Sequence, residues 1–351
     1  ITCLETYTWE SNLDKIRRIY QLEERHSKKG PRVTAVVPSY NHGRYIQQRI
    51  ESILAQTYRN LELIVIDDCS EDNSHDVISK LREKQDFQYI RNERNSGTPF
   101  AAWERICNLA TGDYIWICES DDVAEPNFLE TAVRALESNK DAVLFYCNSW
   151  VIDSGGQRVD HTKTYFQRYS TDTRWERDFV SDGMDELVNY QLRWQTVPNM
   201  SSALVSIEAF RTSYRTRLNK FKLAGDWLFI GNVMRHGNVV FSNQTLNNFR
   251  RHSITSRERI KQAAEHAEYV MVTYYLFRTT ALPIREFANA MTPLIKYFWF
   301  VPEQRQDAFK TLLKISRLDT FRCLLLLIVS LLSDSKWFIK LYRHIRMKLA
   351  S

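Results

Sequence analysis

Leu61-Glu62-Leu63-Ile64-Val65-Ile66-Asp67-Asp68-Cys69-Ser70 decides the fold, because a short run rich in branched apolar residues stops abruptly at two adjacent carboxylates. A run of this length, apolar on both pleat faces, reads as a strand buried on both sides. Working backwards, Val33-Thr34-Ala35-Val36-Val37, closed by Pro38, is another such strand. Between the two, Tyr45, Ile46, Ile50, Ile53 and Leu54 fall at helical spacing. Working forwards, the alternation repeats. A helix is predicted over about Asp72 to Lys84, a strand over Phe87 to Ile90, a helix over Pro99 to Leu109 and a strand over Tyr114 to Cys118. A helix over Phe128 to Leu136 and a strand over Ala142 to Cys147 follow. This pattern predicts an α/β, doubly wound domain with a mainly parallel central sheet. Such sheets bind ligands beyond the carboxyl ends of their strands. There the sequence sets Pro38-Ser39-Tyr40-Asn41, then Asp67-Asp68, then Glu119-Ser120-Asp121-Asp122.

With 351 residues and 44% hydrophobic content, the chain can bury a core for one large domain, with or without an appendage. It carries 48 Lys and Arg against 42 Asp and Glu. The resulting charge of +6 suits nucleotide phosphates, anionic lipid or solubility without choosing between them. The basic residues form no stripe on the strand-rich part, which argues against nucleic acid as a partner. Six cysteines are scattered without a CxxC, so reduced, mostly buried thiols in a cytoplasmic setting are expected. No charged leader with an apolar centre and a small-residue cleavage site is legible. Ile1 in place of Met leaves the chain readable as a segment of a longer protein. The expected organisation is a helical lead-in or linker over 1–30, the sheet domain over 31–256, and a helical C-terminal region over 257–351. Between Asp153 and Gln195 the pattern becomes irregular, which predicts loops and short elements.

Adjacent carboxylates directly after a buried strand repel one another and lose solvation, so a fold tolerates them when a cation or several donors compensate. A hard divalent ion held by one or two carboxylates plus substrate phosphates is one such compensation. Helix capping by Asp122, ahead of Val123-Ala124-Glu125-Pro126, is the other. Asp67-Asp68 repeats the pattern, and a carboxylate there can accept from a nucleobase imide or from ribose hydroxyls. Asp226, ahead of Leu228-Phe229-Ile230, reads either as a helix-start aspartate or as a general base. Arg250-Arg251-His252-Ser253 reads as a phosphate- or metal-binding turn or as a solvated basic one.

Taken together, Pro38-Ser39-Tyr40-Asn41, Ser52-Ile53-Leu54-Ala55-Gln56-Thr57-Tyr58 and Glu62 to Asp72 resemble family 2 glycosyltransferases of the GT-A fold, a Rossmann-like architecture. Asn95-Ser96-Gly97, Ala110-Thr111-Gly112-Asp113-Tyr114 and Glu119 to Asp122 continue the likeness in the same order. It is strong from about Arg32 to Asp153. It resumes more loosely at Ala224-Gly225-Asp226-Trp227-Leu228 and at Phe249 to Ser253. The resemblance implies an inverting transfer of a sugar from a nucleoside diphosphate donor, UDP- or dTDP-type, to a hydroxyl of a glycan or lipid-linked acceptor. A divalent metal, Mn²⁺ or Mg²⁺, is implied as cofactor.

Carried residue by residue, the resemblance sets Pro38 and Tyr40 at the nucleobase and Asp68 as acceptor from a uracil- or thymine-like ring. Asp67 then orients the loop, and Gly97 lies on the donor side. Asp121 is expected at the ribose and donor sugar and Asp122 on the metal, with His252 completing the metal shell. Arg251 is expected at phosphate oxygens and Asp226 as the base. Trp227 and Asn199 fall on the acceptor side. Ala102-Trp103 stand where the family more often has Arg-Asn, a departure that touches the donor-sugar contacts.

Lys314 to Ser351 carries eight Lys and Arg against two acids, with a leucine-rich stripe. A basic amphipathic tail of this kind can lie on an anionic membrane surface, here the inner face. The apolar run Cys323 to Leu332 is shorter than the roughly 20 residues that span a bilayer. Two rival readings come from other classes. A non-catalytic nucleotide-sugar-binding or scaffold module of a polysaccharide-assembly protein would not need Asp226. A sugar nucleotidyltransferase would open with a Gly-rich basic loop, which Pro38 to Gly43 is not.

Overall fold

A computed structural model describes residues 30–251 and 262–280, with separate positions between 282 and 324. The lead-in over 1–29, His252 and most of the basic tail lie outside the described residues.

The first half alternates as the sequence predicts. In order come β1 (Val33–Ser39), α1 (Ile46–Leu54), β2 (Leu61–Asp67), α2 (Ser74–Arg82), β3 (Gln88–Arg91), α3 (Ala101–Leu109) and β4 (Tyr114–Ile117). The short β5 (Val123–Ala124), α4 (Phe128–Glu137) and a long β6 (Ala142–Ile152) follow. The irregular stretch holds β7 (Arg158–His161), α5 (Thr162–Tyr169), β8 (Phe179–Ser181) and α6 (Gly183–Glu186). Then come β9 (Ala203–Ser206), α7 (Ile207–Ser213), α8 (Gly225–Val233), β10 (Asn238–Arg250) and α9 (Gln262–Arg278).

β1 lies parallel between β2 and β4, with β3 parallel on the far side of β2. Beyond β4 the sheet becomes mixed. β9 runs antiparallel to both β4 and β6, β10 runs parallel to β6, and β5 closes antiparallel on β10. The register aligns Ser39 with Asp67 and Val36 with Ile117, so the loops after β1, β2 and β4 emerge at one sheet edge.

Period-two alternation sends successive residues to opposite faces. Val36, Ile64, Ile66, Ile115 and Ile117 join one core with α3, α8 and α9. Val33, Ala35, Val37, Leu63, Val65 and Trp116 join the other with α1 and α4. Each helix supplies a stripe at three- and four-residue spacing, for instance Ile46, Arg49, Ile50 and Ile53 of α1. In the region read as a helical C-terminal extension, Ala267, Val270, Met271 and Tyr274 of α9 share the core of Leu228 and Phe229 of α8.

Glu62 ties the parallel strands to the loop before β4. It accepts from Thr34 Oγ1, from the Thr111 amide (2.8 Å) and hydroxyl (2.7 Å), and pairs with Arg32 at 3.0 Å. Burial alone would raise its pKa, but the hydrogen bonds of Thr34 and Thr111 and the charge of Arg32 bring it below the ordinary value. A depressed carboxylate stabilises the fold above its unfolded pKa of about 4.3 and loses that contribution as pH falls through its folded value. Glu62→Ala is therefore expected to cost about 2 kcal/mol in urea unfolding at neutral pH. The gap from the parent should narrow as the pH drops below about 4.

Candidate active site

Three loops meet at the carboxyl edge of β1, β2 and β4. The loop after β1 is laced to the loop after β2. The Asn41 amide donates to Ser70 Oγ (2.9 Å), the Glu71 amide to Asn41 Oδ1 (2.8 Å) and the Gly43 amide to Asp72 Oδ2 (2.9 Å). Asn41 and Cys69 hold left-handed backbone at φ 56° and 62°, which L residues rarely adopt and which these bonds must offset. His42 Nδ1 lies 2.6 Å from Ser120 Oγ and joins the pair of loops to the acidic cluster.

Asp67 is fully buried and offers no surface to a ligand. Its carboxylate accepts from the Ser70 amide and hydroxyl and from Tyr89, and it pairs with Arg91. Asp68 is half-buried, and accepts from Asn92 Nδ2 (2.6 Å) and from the Ser96 hydroxyl (2.7 Å) and amide. Ser96 thereby holds the turn bearing Gly97, whose φ of 75° suits glycine. Pro38 ends β1 partly buried, and Tyr40 beyond it is exposed.

Asp122, expected on the metal, is enclosed by the protein. Only 1% of it is exposed, and both its oxygens are held by protein donors. The Arg250 amide donates to Oδ1 at 2.8 Å and Asn199 Nδ2 to Oδ2 at 2.9 Å. Burial first, then the charge of Asp121, pushes its pKa up to about 6, against the pull of Arg49. Glu119, which also accepts from Asn199, is raised well above the carboxylate range by burial and then by Asp122, Asp121 and Asp226. Asp121 is the member of the pair with solvent access. Asn199, expected on the acceptor side, lies against the acidic cluster. It is 2% exposed and bridges Glu119 and Asp122 from beneath, held in turn by Asn247.

Asp226 sits in the first turn of α8, half-exposed. Oδ2 accepts from Gln195 Nε2 and Oδ1 from the Trp227 amide, both at 2.8 Å. Two features fix that turn. A Cβ at Gly225 would meet the buried Phe100 ring at 2.6 Å. Glu268 of α9, 3% exposed, accepts the amides of Lys222, Leu223 and Ala224 at 2.7 to 2.9 Å. Trp227 is no stacking surface. It is buried, its indole N–H donates to the Gln191 carbonyl (2.6 Å), and its ring meets Tyr269 edge-on. Arg250 is likewise engaged by the protein, donating to Asp121 O, Asp153 O and Gln48 Oε1. Arg251 is exposed at the end of β10, with its guanidinium 5.5 Å from the Phe249 ring and its charge acting on Asp160.

Sequence reasoning missed Gln195, Glu268 and Arg49. Arg49 left a trace, a charge inside the apolar stripe of α1. It is fully buried, 4.9 Å from the Trp116 ring, and lowers both Glu119 and Asp122. Gln195 and Glu268 reach Asp226 and its loop only through tertiary packing.

A parallel βαβ half ending in paired acids is thus joined to a mixed half carrying another acid at a helix start. The fold is similar to that of TarS 1-349 from S. aureus (TM-score 0.59, 16% identity, 81% of this chain and 80% of that one). It is also similar to the mannosyltransferase PcManGT from Pyrobaculum calidifontis, solved with GDP-Man and Mn²⁺ (TM-score 0.52, 14% identity, 92% and 81%). Residues 34–187 match the model for glycosyl transferase family 2. Glycosyltransferase GlyG of Streptococcus pneumoniae is 34% identical over 121 residues, 34% of this chain and 40% of that protein. The hyaluronan synthase of Pasteurella multocida is 29% identical over 143 residues, 41% and 15%. The matched segment thus spans less than half the length of these relatives.

Gly225→Ala should displace the turn carrying Asp226, since the Phe100 ring is enclosed and cannot withdraw. The expected result is a loss of about 1–3 kcal/mol in thermal or urea unfolding.

Proposed function

We propose that the chain is an inverting, metal-assisted glycosyltransferase that moves one sugar from a UDP- or dTDP-type donor to a hydroxyl of a glycan or lipid-linked acceptor. The observation that carries this reading is Asp226. It is a half-exposed carboxylate aimed by two hydrogen bonds and close enough to the acidic cluster for its charge to raise Glu119. An alcohol is a poor nucleophile until a base takes its proton. Asp226 accepts that proton while the acceptor oxygen bonds to the anomeric carbon and the carbon–oxygen bond to the diphosphate breaks. A single displacement of this kind inverts the anomeric centre.

The nucleobase and ribose would meet Pro38, Tyr40 and Asp68. Asp68 keeps partial solvent access beside its bonds to Asn92 and Ser96, which suits a further acceptance from a base imide. Among the described residues no three His, Cys, Asp or Glu side chains form a closed metal cage. A Mg²⁺ or Mn²⁺ site built from one or two carboxylates and substrate phosphates needs none. Asp121, which keeps solvent access, and Asp122 beside it are the carboxylates that would hold the ion. When bound, the ion would neutralise the charge that builds on the leaving diphosphate. The intact Asp226 weighs against a purely binding or scaffold role. No helix among the described residues is long and apolar enough to cross a membrane, and docking of the basic tail on a membrane surface remains part of this proposal.

Asp226→Asn should bind nucleoside diphosphate as the parent does yet lose transfer by at least a hundredfold. Retained turnover in a donor-consumption assay would remove Asp226 as the base. Asp121→Asn should abolish the enhancement of UDP binding by Mn²⁺ in calorimetry. In the parent, Asp122 beside Asp121 has its pKa pushed up to about 6, so Mn²⁺ stabilisation in thermal melts should grow between about pH 5.5 and 7.5 as that acid loses its proton.

A further inference from the structure

Two tyrosines stand exposed among the described residues, Tyr40 at 38% and Tyr169 at 52%. Tyr40 belongs to the loop after β1. Tyr169 has no place in the mechanism above, yet it lies at the end of an ordered aromatic array. Tyr165 and Tyr169 are four residues apart on α5 and so share one helix face. Their rings lie 4.8 Å apart at 50°. Tyr169 stacks on Trp194 with ring centres 5.6 Å apart and planes within 12° of parallel. Trp194 is buried among Phe166 and Trp175, so the array is anchored rather than loosely placed. The Tyr165 hydroxyl donates to the Gln195 carbonyl at 2.8 Å, and the side chain of that same Gln195 holds Asp226.

We propose that Tyr169, backed by Trp194 and braced by Tyr165, is an acceptor subsite on which a pyranose ring packs, one or more sugar units from the hydroxyl presented to Asp226. The chemistry fits the occupant. A pyranose has an apolar face of C–H groups that packs on an aromatic ring and a rim of hydroxyls that stays in water, which suits a half-exposed tyrosine. The location fits as well, because the array reaches the proposed base through one residue. It also replaces the stacking surface that Trp227 does not offer. This inference rests on Asp226 being the base, and it assigns the acceptor a saccharide portion beyond the reacting hydroxyl.

The test uses the full chain with UDP, and methyl glycosides of hexoses and N-acetylhexosamines as probes in saturation-transfer NMR. At least one probe should take up saturation from the parent protein. Tyr169→Ala should weaken that probe about tenfold, Tyr169→Phe should retain it, and UDP affinity should be equal in all three. Because Tyr169 is exposed, the alanine variant is expected to melt with the parent. The subsite is overturned if no probe is saturated in the parent, or if the alanine variant binds it equally well. A change in sedimentation behaviour with unchanged sugar binding would also overturn it and mark a protein-contact surface. UDP failing to bind the parent would count against the donor reading, while the glycoside comparison would still be read on its own terms.

Discussion

Asp121, Asp122 and Asp226 crowd around Glu119 at the open edge of the sheet, and the surrounding structure is organised to tolerate their mutual repulsion. The cost is visible in the carboxyls of Glu119 and Asp122, both driven upward by burial and by their acidic neighbours. Several elements supply the compensation. Asn199 donates to both raised acids, the Arg250 amide to Asp122, and Arg49 provides a buried positive charge from α1. Buried charge of one sign persists only where donors or counter-charge surround it. The cluster therefore binds the β9, β10 and α1 regions to the loop after β4.

The same constraint separates roles among adjacent residues. Asp67 and Asp122 are each one position away from a more accessible carboxylate, and each is enclosed by protein donors. Their neighbours Asp68 and Asp121 keep access to solvent. In both pairs an inner acid fixes the loop and an outer one is available for chemistry.

Helix α9 ties the later part of the chain to this edge. Glu268 gathers the amides of the three residues ahead of α8, the last of them the N-cap Ala224. The carboxylate thereby positions the turn of Asp226 from a distant part of the sequence, and the apolar side of α9 completes the core beneath it.

Much of the first half was legible in the sequence because its signals are local. The runs at Val33 and Leu61, the helical spacing between them and the acids that end each strand follow from the periodicity of buried parallel strands. Paired carboxylates could be picked out by residue type and neighbourhood, and Asp226 through the resemblance of its surroundings to a family motif. The sequence could not say which acid of each pair is enclosed, that Trp227 is buried, or that Asn199 lies under the cluster. Those outcomes depend on which distant donors arrive, and Gln195, Arg250 and Glu268 come from segments far apart along the chain. Only the folded sheet, which turns from parallel to mixed beyond β4, brings them to one edge, since burial and hydrogen-bond partners are properties of packing rather than of spacing.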